Sequence, residues 1–151
     1  SSFQLETIQK FYPSVSAILN ITPDHLDRHH TIEAYAQAKA DIAKNQTKDD
    51  ICVLNYENTY TREMGESCPA AVVYFSSARE LENGYFLEGE EICKAVNGEK
   101  QSLMNIHKDM NLVGMCNVEN VMAAIAIAVG MVLHLIFKFY FCNIFYAIEK
   151  H

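Results

Sequence analysis

Between residues 20 and 42 the chain reads NITPDHLDRHHTIEAYAQAKADI, which gathers Asp24, His25, Asp27, Arg28 and His29 and sets Lys39 fourteen positions after His25. Carboxylates, imidazoles and cations at this density can hold a metal, position a phosphate or carry a proton. Taken singly, each also suits a solvated loop, with Asp24 closing a turn and Arg28 pairing with an acid. Lys39 is less ordinary. Positions 32, 35, 39 and 42 fall on one helical stripe, so its side chain starts on the face that the apolar Ile32, Tyr35 and Ile42 mark as buried. Either its methylene stem packs while the ammonium reaches solvent, or a partly buried lysine near His25 and Asp24 is recruited for charge chemistry.

These residues need a frame. Residues 15–21 (VSAILNI) form an apolar run between Pro13 and a Thr-Pro-Asp turn, the pattern of a buried strand. Thr31 is placed to cap a helix through the lysine stripe, with Glu33, Gln37, Asp41 and Lys44 on its other face. Two further β-branched runs, ICVLN at 51–55 and AVVYF at 71–75, complete a strand–helix–strand pattern. In such sheets ligands sit at the carboxyl ends of the strands, where the charged cluster falls. From Gly84 onward the residues alternate, and Asn97-Gly98 signals a hairpin. An alanine-rich helix is expected over about 118–129, with Asn117 able to cap it. The fold class is therefore α/β: a mostly parallel sheet flanked by helices, with a small antiparallel edge ribbon.

The 151 residues suffice for one domain. Half are hydrophobic and the formal net charge is −7, which excludes a disordered chain and argues against nucleic acid as a partner. Five cysteines stand singly, with no CxxC pair, and fit a reducing cytoplasmic setting better than a disulfide framework or zinc ribbon. Residues 131–146 are apolar and aromatic except for His134, Lys138 and Asn143. Polar groups so placed are costly in hydrocarbon, so the segment is expected as buried helix and a membrane association is not. The opening SSFQLE reads as the interior of a longer sequence.

Four words, SSFQLE, LNITPDHLDRH, the Lys39 spacing and GMCNVENVMAAIAIA, occur in order over residues 1–129. Together they resemble the central, ATP-binding domain of the Mur ligases, and SSFQLE resembles the branch that adds D-glutamate to UDP-N-acetylmuramoyl-L-alanine. The resemblance implies amide-bond synthesis in peptidoglycan assembly, using ATP and Mg²⁺: the substrate carboxylate becomes an acyl phosphate, and an amine then displaces the phosphate. It also implies site roles. His25 is similar to a histidine that helps hold Mg²⁺, and Lys39 to a lysine that is carbamylated into an anionic, carboxylate-like ligand. Asn117 and Asn120 resemble two asparagines facing the adenosine of ATP, and Gln4 lies in a word that lines the substrate side.

The departures are as informative. No Gly-rich loop ending in Gly-Lys-Ser/Thr occurs in the 151 residues, and the metal-binding Glu two positions before Ser1 is outside them. Cys116 stands where the family has histidine, and Lys150 and His151 replace an expected His-Arg pair. The expectation is a partial central domain, without the flanking N- and C-terminal domains, ending in a divergent apolar tail over 131–151. Alone it is expected to be inactive, and an uncovered sheet edge to make it poorly stable. Two other readings remain: a non-catalytic interaction remnant, and a folyl-polyglutamate-type ligase fragment, which SSFQLE disfavours.

Overall fold

The computed structural model describes residues 1–111 and 114–148, with side chains as far as Ile136. Six strands form one sheet in chain order: β1 (Val15–Ile18), β2 (Ile51–Asn55), β3 (Ala71–Ser76), β4 (Gly84–Glu88), β5 (Glu91–Val96) and β6 (Glu99–Asn105). The first four run parallel, with Val15 opposite Ile51, Ile51 opposite Ala71 and Phe75 opposite Tyr85. The last two turn antiparallel. Asn97 and Gly98 both take positive φ (52° and 81°), as the hairpin between β5 and β6 requires.

Helices cover both faces, so the parallel strands read as near-continuous apolar runs. On β2, Cys52 and Leu54 pack with Tyr35 and Ala36 of α3 (Ile32–Ala40), backed by Tyr60 and Met64 of α4 (Thr59–Ser67). Val53, between them in sequence, points to the other face, where Phe75, Tyr85 and Ile92 meet Val118, Met122, Ala123 and Ala126 of α5 (Met115–Ile148). That α3 and α4 share a face follows from right-handed crossovers between successive parallel strands. Short helices α1 (Ser2–Leu5) and α2 (Leu26–His29) lie beside α3.

Several sequence expectations are met closely. Thr31 caps α3, its hydroxyl oxygen accepting from the Ala34 amide at 3.1 Å. The runs 51–55 and 71–75 are strands, the second one residue longer. Three need correcting. The first strand stops at Ile18, and Ile21 is buried in a loop whose carbonyl is taken by the Asn58 side chain at 2.8 Å. Helix α4 was not anticipated, although Asn58 caps it through the Thr61 amide.

The alanine-rich helix is the third correction. It starts at Met115 and runs through Gly130 to Ile148, so Asn117 lies within its first turn rather than capping it. Gly130 sits against Ile51, where an added Cβ would be 3.0 Å from the isoleucine δ-methyl. A helix rises 1.5 Å per residue, and past Gly130 it outruns the sheet. Met131, Val132, Leu133, Leu135 and Ile136 are therefore exposed instead of buried. His134 alone among 131–136 turns inward, to the Asp49 carbonyl at 3.3 Å. By length and composition the stretch Met115–Ile136 would suffice to cross a membrane.

Candidate functional site

A cavity of about 510 Å³ opens at the carboxyl end of β1, bounded by Ser1, Leu5, Asn20, His25, Tyr35, Lys39 and Asn120. Helix α1 delivers Leu5, the loop from β1 into α2 delivers Asn20 and His25, the inward stripe of α3 delivers Lys39, and the first turns of α5 deliver Asn120. Four separate elements thus converge on the strand ends, where α/β sheets take their ligands.

His25 sits just before α2 in the left-handed region (φ 52°), a conformation histidine tolerates better than most side chains. The Asp24 carboxylate holds it there, accepting from the His25 amide at 2.9 Å and lying 3.3 Å from Nε2. The Phe3 ring, 5.0 Å away between centroids, closes one side. Lys39 is half-buried, its Nζ 4.8 Å from the centre of the Tyr35 ring. Among the described residues no carboxylate pairs with it. Its charge is met by an aromatic face alone, the situation of a lysine whose amine is available for other chemistry.

The rest of the charged cluster is structural. Glu6 accepts from Arg28 at 2.8 Å and lies 3.1 Å from His29 Nδ1, while His29 Nε2 is 3.1 Å from the Ser2 hydroxyl. Arg28 foremost, then His29, hold the Glu6 carboxyl below its usual range. This ties α2 to α1 and carries Ser1, Ser2 and Leu5 to the cavity. Gln4 itself is exposed and off the lining. Asn117 is half-buried, its amide bonded to the Gly114 carbonyl, and also lies off the lining. Asp27 caps nothing but adds negative charge to the first turn of α2.

Beside the cavity lies a polar cluster that sequence reasoning missed. Arg79 grips Glu57 with two bonds of 2.8 Å, Ser76 donates to Glu57 at 2.6 Å, and Ser77 donates to Glu119 of α5 at 2.5 Å. Burial works against the Glu57 charge, but Arg79 and Ser76 outweigh it and keep its carboxyl below the ordinary range. These bonds pin the start of α5, and with it Asn120, to the ends of β2 and β3. The only forewarning in sequence was that polar residues follow both apolar runs.

A parallel sheet with helices on both faces, an antiparallel ribbon at one edge and a cavity at the strand ends is the α/β architecture of a domain that takes its ligand beside the carboxyl ends of its strands. Residues 1–128 match the family of the Mur ligase middle domain, and the chain belongs to that family. It is 53% identical over 131 residues to the UDP-N-acetylmuramoylalanine–D-glutamate ligase of Lachnoclostridium phytofermentans, covering 87% of this chain and 29% of that protein. With the enzyme of the same name from Lachnospira eligens the identity is 54% over 126 residues, covering 83% and 28%. Among solved structures, MurF from Acinetobacter baumannii superposes with a TM-score of 0.58 at 20% identity, over 79% of this chain and 26% of that one, which establishes the fold. The chain thus spans under a third of the length of the curated relatives it matches.

Proposed function

We propose that this chain is the core of the middle domain of an ATP-dependent ligase that joins D-glutamate to UDP-N-acetylmuramoyl-L-alanine in the cytoplasm, through an acyl phosphate. The observation that carries the reading is that His25, Lys39 and Asn120, three of the five residues the family resemblance singled out, face one cavity at the strand ends. The identity to D-glutamate ligases, above 50%, favours this substrate over the folate-type alternative.

The donor chemistry sets a condition on Mg²⁺. Among the described residues no group of three His, Cys, Asp or Glu side chains forms a metal site, and an ammonium at Lys39 would repel a cation. Carbamylated, Lys39 presents a carboxylate-like oxygen, and with His25 it would supply two protein donors. Mg²⁺ commonly keeps water and phosphate oxygens in its remaining positions, so a sparse protein set fits it. When bound, the ion would neutralise charge on the transferring phosphoryl group.

This chain's own residues do the positioning. The Tyr35 face orients the Lys39 side chain, Asp24 holds the His25 ring, and Asn120 offers amide donors and an acceptor to a nucleotide. The Gly-Lys-Ser/Thr phosphate loop is outside these 151 residues, so the chain alone is expected to show no D-glutamate-dependent phosphate release.

The test is ¹³C NMR of the purified chain in ¹³C-bicarbonate at alkaline pH, with and without Mg²⁺. A carbamate signal that Mg²⁺ strengthens and that Lys39→Ala abolishes is expected. A spectrum unchanged by Lys39→Ala would refute the metal-site reading.

A further inference from the structure

A second cavity, of about 550 Å³, lies on the other side of α3, between that helix, β2 and α4. Two of its lining residues are cysteines: Cys52, the second residue of β2 and 2% exposed, and Cys68, half-buried at the C-terminus of α4. They come together because α4 leads straight into β3. Ala71 pairs with Ile51, so the chain returns to β2 three residues after Cys68, and Cys68 and Cys52 line the same cavity. Cys68 packs against the cluster containing Cys52, Leu54 and Ala70.

The two sulfurs are not equivalent. The Cys52 thiol interacts with the Cys68 sulfur, which also receives the Ala70 amide, and these bonds lower the Cys68 thiol to about 6. The same contact with Cys68, together with burial, pushes the Cys52 thiol up. Cys68, half-buried on the cavity wall, is thus the sulfur biased toward thiolate, and Cys52, 2% exposed, the neighbour biased toward the protonated thiol. A low-pKa, accessible thiol beside a second cysteine is the arrangement that selects for reversible oxidation. Cys93, by contrast, is buried with its thiol pushed up by that burial, and its nearest acid is Glu88.

We propose that Cys52 and Cys68 form a peroxide-sensitive redox pair, Cys68 being the attacking sulfur and Cys52 the resolving one. In the first step the Cys68 thiolate attacks one oxygen of hydrogen peroxide, the O–O bond breaks, and the departing hydroxide takes a proton to leave as water. Cys68 is then a sulfenic acid. In the second step the Cys52 sulfur attacks the Cys68 sulfur, the S–O bond breaks, and the hydroxide leaves as water with the Cys52 proton. Overall two thiols and one peroxide give one disulfide and two waters; the sulfurs are oxidised and the peroxide is reduced. A disulfide would staple the end of α4 to β2 across a cavity that α3 also walls through Ala36 and Ala40. Since α3 carries Lys39, oxidation would reach the strand-end site through that helix.

The experiment treats the purified 151-residue chain with hydrogen peroxide, with and without the sulfenic-acid trap dimedone, followed by non-reducing peptide mapping. The expected result is a Cys52–Cys68 linked peptide, two hydrogens lighter and reversed by dithiothreitol. In Cys52→Ser, dimedone should instead accumulate on Cys68. Alkylation of Cys68 by iodoacetamide in the untreated native chain provides a readout independent of how the variants fold. With a thiol near 6, its rate should rise about tenfold from pH 5 to 7 and less than about twofold from pH 7 to 9, whereas an ordinary thiol near 8.5 gains roughly twentyfold or more over that second interval. Oxidation confined to other cysteines, or a Cys68 rate still climbing steeply above pH 7, would overturn the proposal.

Discussion

Asp50 is fully buried at the amino end of β2, yet it belongs to a chain segment that most sequence readings would leave as a polar turn. Its Oδ2 accepts from the Tyr12 hydroxyl at 2.6 Å, the Thr47 amide at 2.8 Å and the Thr47 hydroxyl at 3.0 Å. Its Oδ1 and the Nε2 of His134 are buried with no hydrogen-bond partner among the described residues, and His134 contributes favourably to the Asp50 charge. Asp50→Ala removes the acceptor that joins Tyr12 of the 9–14 loop to the 47–50 turn, and with it the charge that faces His134 of α5. A hydrogen bond to a charged group contributes about 1.5–3 kcal/mol. Tyr12 and Thr47 are exposed enough to turn to water, so the three bonds do not add in full. The expected loss is about 2–4 kcal/mol, with Tyr12→Phe alone costing about 1 kcal/mol. In Asp50→Ala that phenol bond is already gone, so adding Tyr12→Phe should cost nearly nothing more, a coupling of about 1 kcal/mol.

Acid supplies an independent check. Burial opposes the Asp50 charge, but Tyr12, Thr47 and His134 together hold its carboxyl below the usual value. The folded state therefore binds fewer protons than the unfolded one. The contribution is full above the unfolded value, near 4, and is lost as pH falls through the lower folded value. Urea unfolding followed by far-UV circular dichroism at pH 7 and pH 3 should show the gap between wild type and Asp50→Ala narrowing in acid. A loss below about 1 kcal/mol at pH 7, full additivity with Tyr12→Phe, or a gap that widens in acid would refute the reasoning.

Other substitutions test the frame. Leu54→Ala empties a fully buried position between α3 and α4 and should cost about 2–5 kcal/mol in the same unfolding assay. Gly84 has φ +135°, and a Cβ there would stand 2.4 Å from the Tyr74 carbonyl oxygen; Gly84→Ala should lose roughly 1–3 kcal/mol and loosen amide-exchange protection across β3 and β4. Thr31→Ala should cost about 1 kcal/mol and Thr31→Asn should restore most of it, since asparagine also accepts from the N3 amide.

What the sequence made legible was what local pattern controls. Period-two and continuous apolar runs located β2 and β3, Thr31 located the start of α3, and the stripe through Ile32, Tyr35, Lys39 and Ile42 put the lysine on the inward face. His25 and Lys39 were legible as neighbours because a strand-end loop and the following helix must both open onto the same edge of the sheet. The failures concern long-range packing. Glu6 was not foreseen as the partner of Arg28 and His29, because the link spans twenty-two residues. Gln46 is buried, holding Ser16, Pro13 and Ile51 through one amide, and nothing in its neighbourhood announces that. The exposure of 131–136 escaped as well, since hydropathy gives apolarity but not where the supporting sheet ends.

The strictly sequential strand order bears on how the chain is made as well as on what it is. Every strand pairs with its immediate predecessor in the chain, so the sheet can grow vectorially from the ribosome, each new strand finding its edge already in place, and no pairing waits for a distant partner. Helix α5 is different. It follows all six strands in the chain, and until it docks, Val53, Phe75 and Tyr85 lack the cover that Val118, Met122, Ala123 and Ala126 give them. The interval between synthesis of β6 and docking of α5 is therefore when chaperone binding, or aggregation in its absence, should concentrate.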